Sequence, residues 1–184
     1  MKRFWHCWLI GLAAILSLSA CAWVTPILQS PTDKLTPISI GPYPVFSGRL
    51  LVTEPRRRWQ VEIDWQAQQA ETGTLRLSHA LSGTVVDFRW QDSWMQIRDN
   101  QFPHWRNIQQ QELAQHGLVI PPSQLASILL GHIPAHFIQK KHDTLESRAS
   151  GSLIRLRWQS SAQKLTITDL KHGRTAKLII SETK

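Results

Sequence analysis

The fold is decided by the stretch GTLRLSHALSGTVVDFRWQ, which covers residues 73–91. Leucines alternate with Thr, Arg and Ser in its first half, and Val, Phe and Trp alternate with Val, Asp and Arg in its second half. A period of two in such residues is typical of half-buried β-strands. Residues 79–83 between them are small or polar with one glycine, which suits a hairpin loop. The stretch therefore predicts a β-hairpin.

Leu81 is the unusual residue of this hairpin, because it brings a large aliphatic side chain to the predicted tip. Such a side chain either folds back onto its own strands or stays outside the fold. Isolated exposed apolar residues are normal on protein surfaces, so the pattern alone leaves both interpretations open. The second interpretation would make Leu81 a contact with a membrane or a partner.

Further strands are predicted on both sides of the hairpin. Residues 59–65 alternate apolar with charged or amide side chains more regularly than any other segment, and residues 67–72 form a predicted turn. The other predicted strands are residues 45–53, 93–99, 102–105, 137–148, 153–159, 164–168 and 176–181.

Two short helices are predicted in the middle of the chain. Asn107, with Gln110 three residues later, is typical of a helix start, and Gly117 stands where a helix ends. A second helix begins at the two prolines, since Pro is tolerated in a first helical turn. It carries an apolar stripe on one face, formed by Leu125, Ile128 and Leu129. Many antiparallel strands with two inserted helices indicate a mainly β fold, either a curved sheet or an open barrel.

The N-terminus has the pattern of a bacterial lipoprotein signal. A basic start precedes a mostly apolar run that ends in Leu18-Ser19-Ala20-Cys21, and this run is too short to be a spanning helix. The tetrapeptide matches the lipobox of bacterial lipoproteins. We therefore expect residues 1–20 to be a signal peptide and Cys21 to carry S-diacylglycerol and N-palmitoyl chains, which make a stable anchor. Ala22, where Asp would retain a lipoprotein in the inner membrane, predicts the outer membrane.

Residues 21–44 are predicted to be a lipidated tether, since five prolines lie there among Ser and Thr without sustained periodicity. Residues 45–184 are then long enough for one domain. Cys7 leaves with the signal peptide and Cys21 becomes a thioether, so the mature chain has no disulfide. A hydrophobic core must therefore stabilise this domain without covalent links.

The chain is basic, with a formal net charge of +8 over 184 residues. Export excludes nucleic acid as a partner, which leaves anionic lipid head groups or an acidic protein. The run Arg56-Arg57-Arg58 is most often a solvated turn, and contact with phosphates is the alternative.

Catalytic motifs are absent from the sequence, which has no Gly-x-Ser-x-Gly, no phosphate-binding glycine loop and no metalloprotease helix. We therefore predict a protein that is not an enzyme and needs no cofactor. His132 and His136 have the spacing of a helical zinc pair, but Gly131 and Pro134 disfavour a helix there. Loop histidines without a metal are the prediction.

The apolar faces of the predicted strands and of the second helix have two interpretations. They fill an ordinary core, or they line a concave cavity for an acyl chain, as small barrels can. The candidate cavity residues are Val61, Ile63, Trp65, Leu75, Leu77, Phe88, Trp90, Leu125, Ile128 and Leu129.

Four segments of the sequence resemble one known family. They are SGRL at residues 47–50, LRLSHALSGTVVDF at 75–88, GLVIPPSQLASILLGHIP at 117–134, and residues 166–180. In order and spacing they resemble the LolB family, outer-membrane lipoproteins that receive other lipoproteins from the periplasmic carrier LolA and insert them into the outer membrane. The family has Pro-Leu-Gly at its hairpin tip. Leu81 therefore stands at the family's exposed leucine, with Ala80 and Ser82 in place of Pro and Gly.

The resemblance implies a LolA/LolB-like, half-closed antiparallel β-barrel with a short helical lid and a hydrophobic cavity that binds acyl chains. It implies three partners, namely a LolA-like periplasmic carrier, acylated lipoprotein cargo and outer-membrane phospholipid. The chain would act as a lipid-anchored monomer that faces the periplasm, with Leu81 in the membrane-insertion loop. The alternative is a structural or accessory outer-membrane lipoprotein with a filled β core and a protein partner.

Overall fold

The computed structural model describes residues 36–183. They lie within one compact unit, Leu35–Lys184. The predicted signal peptide, Cys21 and most of the predicted tether lie outside the described residues and stay predictions. In the part of the chain that the structure describes, no helix has the length and apolar character needed to cross a bilayer.

The strands of the described residues form one antiparallel sheet. They are β1 (Val45–Glu54), β2 (Arg57–Gln69), β3 (Thr72–His79), β4 (Thr84–Gln91), β5 (Trp94–Asp99), β6 (Arg106–Asn107), β7 (Ile138–Lys141), β8 (Thr144–Ser147), β9 (Ile154–Gln159), β10 (Lys164–Asp169) and β11 (Arg174–Thr183). Their order in the sheet is β6-β5-β4-β3-β2-β1-β11-β10-β9-β8-β7. β1 joins the two halves, because it pairs with β2 on one side and with β11 on the other. The sheet does not close, and β6 and β7 are its edges.

Alternating burial confirms the predicted hairpin of β3 and β4, which pair from Thr72 opposite Gln91 to His79 opposite Thr84. β2 is longer than predicted. It continues to Gln69 through the predicted turn, because Ala67 is buried on the inner face and a bulge after Gln66 lets pairing resume.

Two other strand predictions differ from the structure. Residues 102–105 are a loop, and β6 follows them, since Pro103 has no N–H to donate to a ladder. Residues 137–148 are not one strand but the hairpin of β7 and β8, which turns at His142 and Asp143. Both differences lie at the edges of the sheet. Edge strands bury few side chains, so the alternation of apolar and polar residues predicts them poorly.

The helical lid consists of α1 (Gln110–Leu113), a 3-10 turn (Ala114–His116) and α2 (Pro122–Leu129). The predicted cap is wrong, since Asn107 pairs in β6. Instead, the carboxylate of Glu112 accepts the backbone N–H of Gln109 at 3.1 Å, as the acidic member of a capping box does. α2 begins with Pro122 in its first turn, as predicted.

One continuous hydrophobic core lies between α2 and the inner face of the sheet. It takes side chains from β1 to β5 and from β8 to β11. Strands far apart in an eleven-stranded sheet reach the same core only if the sheet curls around it. The prediction of a mainly β fold with an open antiparallel barrel and a short helical lid is confirmed.

The outer face carries a polar ladder across β1 to β5, formed by Ser47, Asp64, Arg76, Asp87 and Arg98. Asp87 accepts hydrogen bonds from Arg76 at 2.7 Å and from Arg98 at 2.9 Å. Burial raises the pKa of Asp87, but these hydrogen bonds outweigh it and hold the pKa below its ordinary value. The concavity above the ladder has a volume of about 570 Å³. Since most of its charges are paired with one another, we assign the ladder to sheet stability.

Candidate functional site: the hairpin tip and the inner face

The tip loop, residues 79–83, is held by its own polar groups. The N–H of Gly83 donates to the carbonyl of His79 at 2.9 Å, and Gly83 has a φ of 64°, which suits glycine. The hydroxyl of Ser82 lies 3.0 Å from Nδ1 of His79 and donates to the hydroxyl of Thr84 at 2.8 Å. The loop is therefore a closed network of short hydrogen bonds.

Asn100 ties this loop to its neighbour. Its side-chain amide donates to the carbonyl of Gly83 at 3.0 Å, and its side-chain oxygen accepts the N–H of Val85 at 3.0 Å. None of these contacts uses Leu81, whose side chain is 96% exposed. Leu81 therefore does not fold back onto its strands, and the loop keeps its shape without any packing by Leu81.

All ten predicted cavity residues lie on the inner face or on α2, and all are buried in the one core. Beneath α2 a void of about 10 Å³ lies between Leu50, Ile63, Leu118, Leu125 and Leu178 among others. This volume is no larger than the space that one water molecule needs, so no acyl chain fits there in this arrangement. The open cavity that the resemblance implies is not confirmed, because the lid side chains fill the concave face.

A slot remains open beside the tip loop. Its volume is about 350 Å³, and its apolar wall consists of Trp59, Val61, Leu77 and Val86. The rim of the slot is polar and basic, formed by Arg57, Arg58, His79, Ser82, Thr84, Gln115 and His116. The structure thus places an apolar recess directly below the loop that exposes Leu81.

The 3-10 turn of the lid closes one side of the slot. The ring of His116 packs edge-on against Phe88, with 5.4 Å between ring centroids. Burial lowers the pKa of His116, and the positive charge of Arg106 lowers it further. Gly117 follows with a φ of 79°, and a Cβ there would lie within 3 Å of the side chains of Val52 and Trp59. Only glycine lets the lid approach the sheet this closely.

Sequence reasoning found only two residues of the slot, Val61 and Leu77, as members of the predicted cavity. It missed the contribution of His116, because the lid turn and the slot wall are far apart in the chain. The arginine run was a usable signal, since Arg57 and Arg58 stand at the rim.

His132 and His136 lie in irregular chain after α2, as predicted. The side chain of Gln124 lies 2.6 Å from Nε2 of His136. No three His, Cys, Asp or Glu side chains converge on a common point among residues 36–183.

The family model of the outer membrane lipoprotein LolB matches residues 45–174, from the start of β1 into the start of β11. The chain belongs to the LolB family. No curated protein matches the chain at a significant level. Among solved structures, the LolA superfamily protein NE2245 from Nitrosomonas europaea is similar. The alignment has a TM-score of 0.46 and 10% sequence identity, and it covers 79% of this chain and 87% of that chain.

Membership in the LolB family confirms the resemblance stated from the sequence. It supports a lipoprotein-binding, non-enzymatic role at the outer membrane. The insertion step, the acyl-chain site and the lipids on Cys21 stay predictions.

Proposed function

We propose that the chain accepts acylated lipoproteins from a LolA-like periplasmic carrier and inserts them into the outer membrane. The observation that carries this proposal is Leu81, which is 96% exposed on a loop held by other residues. Such a side chain enters a bilayer without unfolding of the domain. It then gains about 25 cal/mol for each Å² of apolar surface that leaves water. Leu81 is the contact with outer-membrane phospholipid in this proposal.

In this proposal the acyl chains of the cargo first enter the slot and then extend along the inner face of the sheet beneath α2. A chain of about sixteen carbons costs on the order of 12 kcal/mol to expose to water, at about 0.8 kcal/mol per methylene. The apolar wall of the slot, with Trp59 and Val86, offers the first contact. To enclose a whole chain, α2 moves off the inner face, and the acyl chain replaces Leu125, Ile128 and Leu129 against the sheet. Release into the bilayer then runs downhill without a nucleotide.

Trp59 adds a polar feature to this wall. Its indole N–H is buried and has no acceptor among the described residues. Lipid chains are joined to an acylated cysteine through ester and amide carbonyls, which accept hydrogen bonds. Once the lid turn at Gly117 moves off Trp59, a carbonyl of this kind can accept a hydrogen bond from this indole N–H.

Leu81→Asp tests the insertion step. The charge makes entry into the bilayer unfavourable, so we expect at least a tenfold fall in the transfer of a lipidated cargo from the carrier into vesicles. The free energy of unfolding should change by less than about 0.5 kcal/mol, because the residue packs against nothing. Trp94→Asp, an exposed residue at the opposite end of the sheet, is the control. Equal loss in both variants, or loss of cargo binding in Leu81→Asp, would contradict the proposal.

A second candidate function is that of a structural or accessory outer-membrane lipoprotein with a protein partner. The filled space beneath α2, with a void of only about 10 Å³, favours it. A purified chain of residues 22–184, without its lipids, distinguishes the two functions by titration with a fluorescent fatty acyl probe. Saturable uptake supports lipoprotein transfer, and absence of uptake supports the filled-core alternative.

A further inference from the structure

Five connections lie at one end of the sheet, which we name the tip end. Antiparallel pairing brings together the β1–β2 turn, the tip loop, the loop after β5, the β8–β9 loop and the β10–β11 turn. The β2–β3, β4–β5, β7–β8 and β9–β10 turns lie at the opposite end. The loop after β5 contacts the tip loop directly, since the side-chain amide of Asn100 donates to the carbonyl of Gly83 at 3.0 Å.

Exposed apolar side chains concentrate in the connections of the tip end. The large exposed hydrophobic residues there are Leu81, Phe102 at 61% exposure and Leu170 at 44%. Phe102 is the nearest of these to Leu81 along the sheet. Its loop is held in place, because the carboxylate of Asp99 accepts the N–H of Phe102 at 2.8 Å and Asn100 hydrogen-bonds Gly83. Leu81 and Phe102 are thus two apolar side chains on braced, neighbouring loops.

Cations lie in two other connections of the tip end, the β1–β2 turn and the β10–β11 turn. Arg56, Arg58 and Lys171 are exposed, and among the described residues no carboxylate lies within 4 Å of them. The acids of this end are already engaged. Glu54 pairs with Arg57, and the carboxylate of Asp169 is bonded to Ser152 and to His172. The tip end therefore carries unneutralised positive charge around an apolar centre.

The opposite end carries charges of both signs. Its connections and the strand ends beside them expose the carboxylates of Glu71, Asp92 and Glu182 together with the ammonium groups of Lys140 and Lys141. A negatively charged surface therefore attracts the tip end more strongly than the opposite end, which gives the molecule an orientation as well as an affinity.

We propose that the tip end docks on the surface of a bilayer that contains anionic phospholipid. Phe102 enters the interface beside Leu81, while Arg56, Arg58 and Lys171 lie against head-group phosphates. This inference rests on the proposed function and deepens it, because it names the lipid class and a second anchoring residue. Each basic residue near an anionic membrane strengthens binding about fivefold. Apolar side chains on projecting loops, rather than on a flat face, favour a bilayer over an acidic protein as the occupant.

The test uses the complete lipidated chain in vesicles, with an environment-sensitive fluorophore on the cysteine of Phe102→Cys. A matched label on Trp94→Cys reports on the opposite end. In vesicles of phosphatidylethanolamine with phosphatidylglycerol, we expect a blue shift at position 102 and none at position 94. In vesicles without phosphatidylglycerol the shift at position 102 should be much smaller.

Charge variants measure the contribution of the cations. Arg56→Gln with Arg58→Gln should lower the equilibrium constant for docking about thirtyfold at low salt, at about fivefold per charge. High salt should reduce docking of the unaltered chain in the same direction, because it screens exposed charges. Circular dichroism of the labelled chains checks that the fold is retained.

Three outcomes would overturn the inference. They are no blue shift at position 102 in any vesicle, an equal shift with and without phosphatidylglycerol, and a shift only when an acidic carrier protein is added. Cargo transfer by Leu81→Asp is measured in the same vesicles, so the two proposals fail separately. If transfer depends on Leu81 while position 102 stays in water, only the docking inference is wrong. If transfer does not depend on Leu81, the proposed function is wrong.

Discussion

The inner face of the sheet is filled beneath α2 and open beside the tip loop. Beneath α2, Leu118 in the segment before α2 and Leu125 on α2 leave a void of about 10 Å³. Beside the tip loop, the 3-10 turn offers only Gln115 and His116, and a slot of about 350 Å³ remains. The same concave surface is therefore closed or open according to the side chains that the lid presents. An apolar ligand can enter the slot without any movement of the lid. It reaches the remaining inner face of the sheet only by displacing α2.

Ile128→Ala should have the largest effect, because it opens the filled region beneath α2. Ile128 is fully buried, so its truncation should lower the free energy of unfolding by about 2–5 kcal/mol, measured by urea denaturation. If an acyl chain and α2 compete for one space, the affinity for a fluorescent acyl probe should rise in the same variant. Ser123→Ala, in the first turn of α2, is the control. A loss of stability without any gain in affinity would mean that α2 is not the gate.

Val86→Trp should act on the open region. The larger ring occupies part of the slot, so the affinity for the acyl probe should fall several-fold. The free energy of unfolding should fall by no more than about 3 kcal/mol. Val85→Trp places the same ring one residue away on the outer face of β4 and should leave the affinity unchanged. Titration of both variants with the probe decides the matter. An equal fall in both variants would show that the slot is not the entry.

His116→Gln should give the smallest effect, visible in the pH dependence. Because burial lowers the pKa of His116 in the folded protein, the unfolded chain takes up a proton first as the pH falls. The stability due to neutral His116 is complete above the ordinary histidine pKa of about 6.5, and it is lost as the pH falls toward the lower folded value. Urea midpoints at pH 7.5 and 5.5 should therefore differ more for the unaltered chain than for His116→Gln. An equal difference would remove His116 from the closure of the lid.

The fold was largely predictable because one-sided burial sets the spacing of apolar residues along each strand. The alternation in β2, β3, β4 and β9 is clear in the sequence, and these strands lie where it predicts them. The failures lie where other forces decide. β2 continues through a polar segment because Ala67 is buried on the inner face. Asn107 does not cap α1 because it pairs with β5 as part of β6, and the carboxylate of Glu112 accepts a backbone N–H at the start of α1 instead.

The candidate site was predictable in part. The position of Leu81 at a short hairpin tip is local information, but its exposure is not, because a side chain at a tip can also fold back onto its own strands. The slot is not local, because Trp59 comes from β2 and His116 from the lid, and no periodicity relates them. The filling of the concave face was equally hidden. An apolar inner face and an apolar helix stripe are the same pattern whether the two surfaces touch or enclose a ligand.

The two free edges of the unclosed sheet matter for solubility. An uncovered strand can recruit another chain by backbone pairing and so start fibrils. Here β6 has only two residues. β7 has a bulge between Gln139 and Lys141, and it ends in Lys140 and Lys141. Such edges offer a poor template to a neighbour. The molecule can therefore keep an opening in its barrel without polymerising through it.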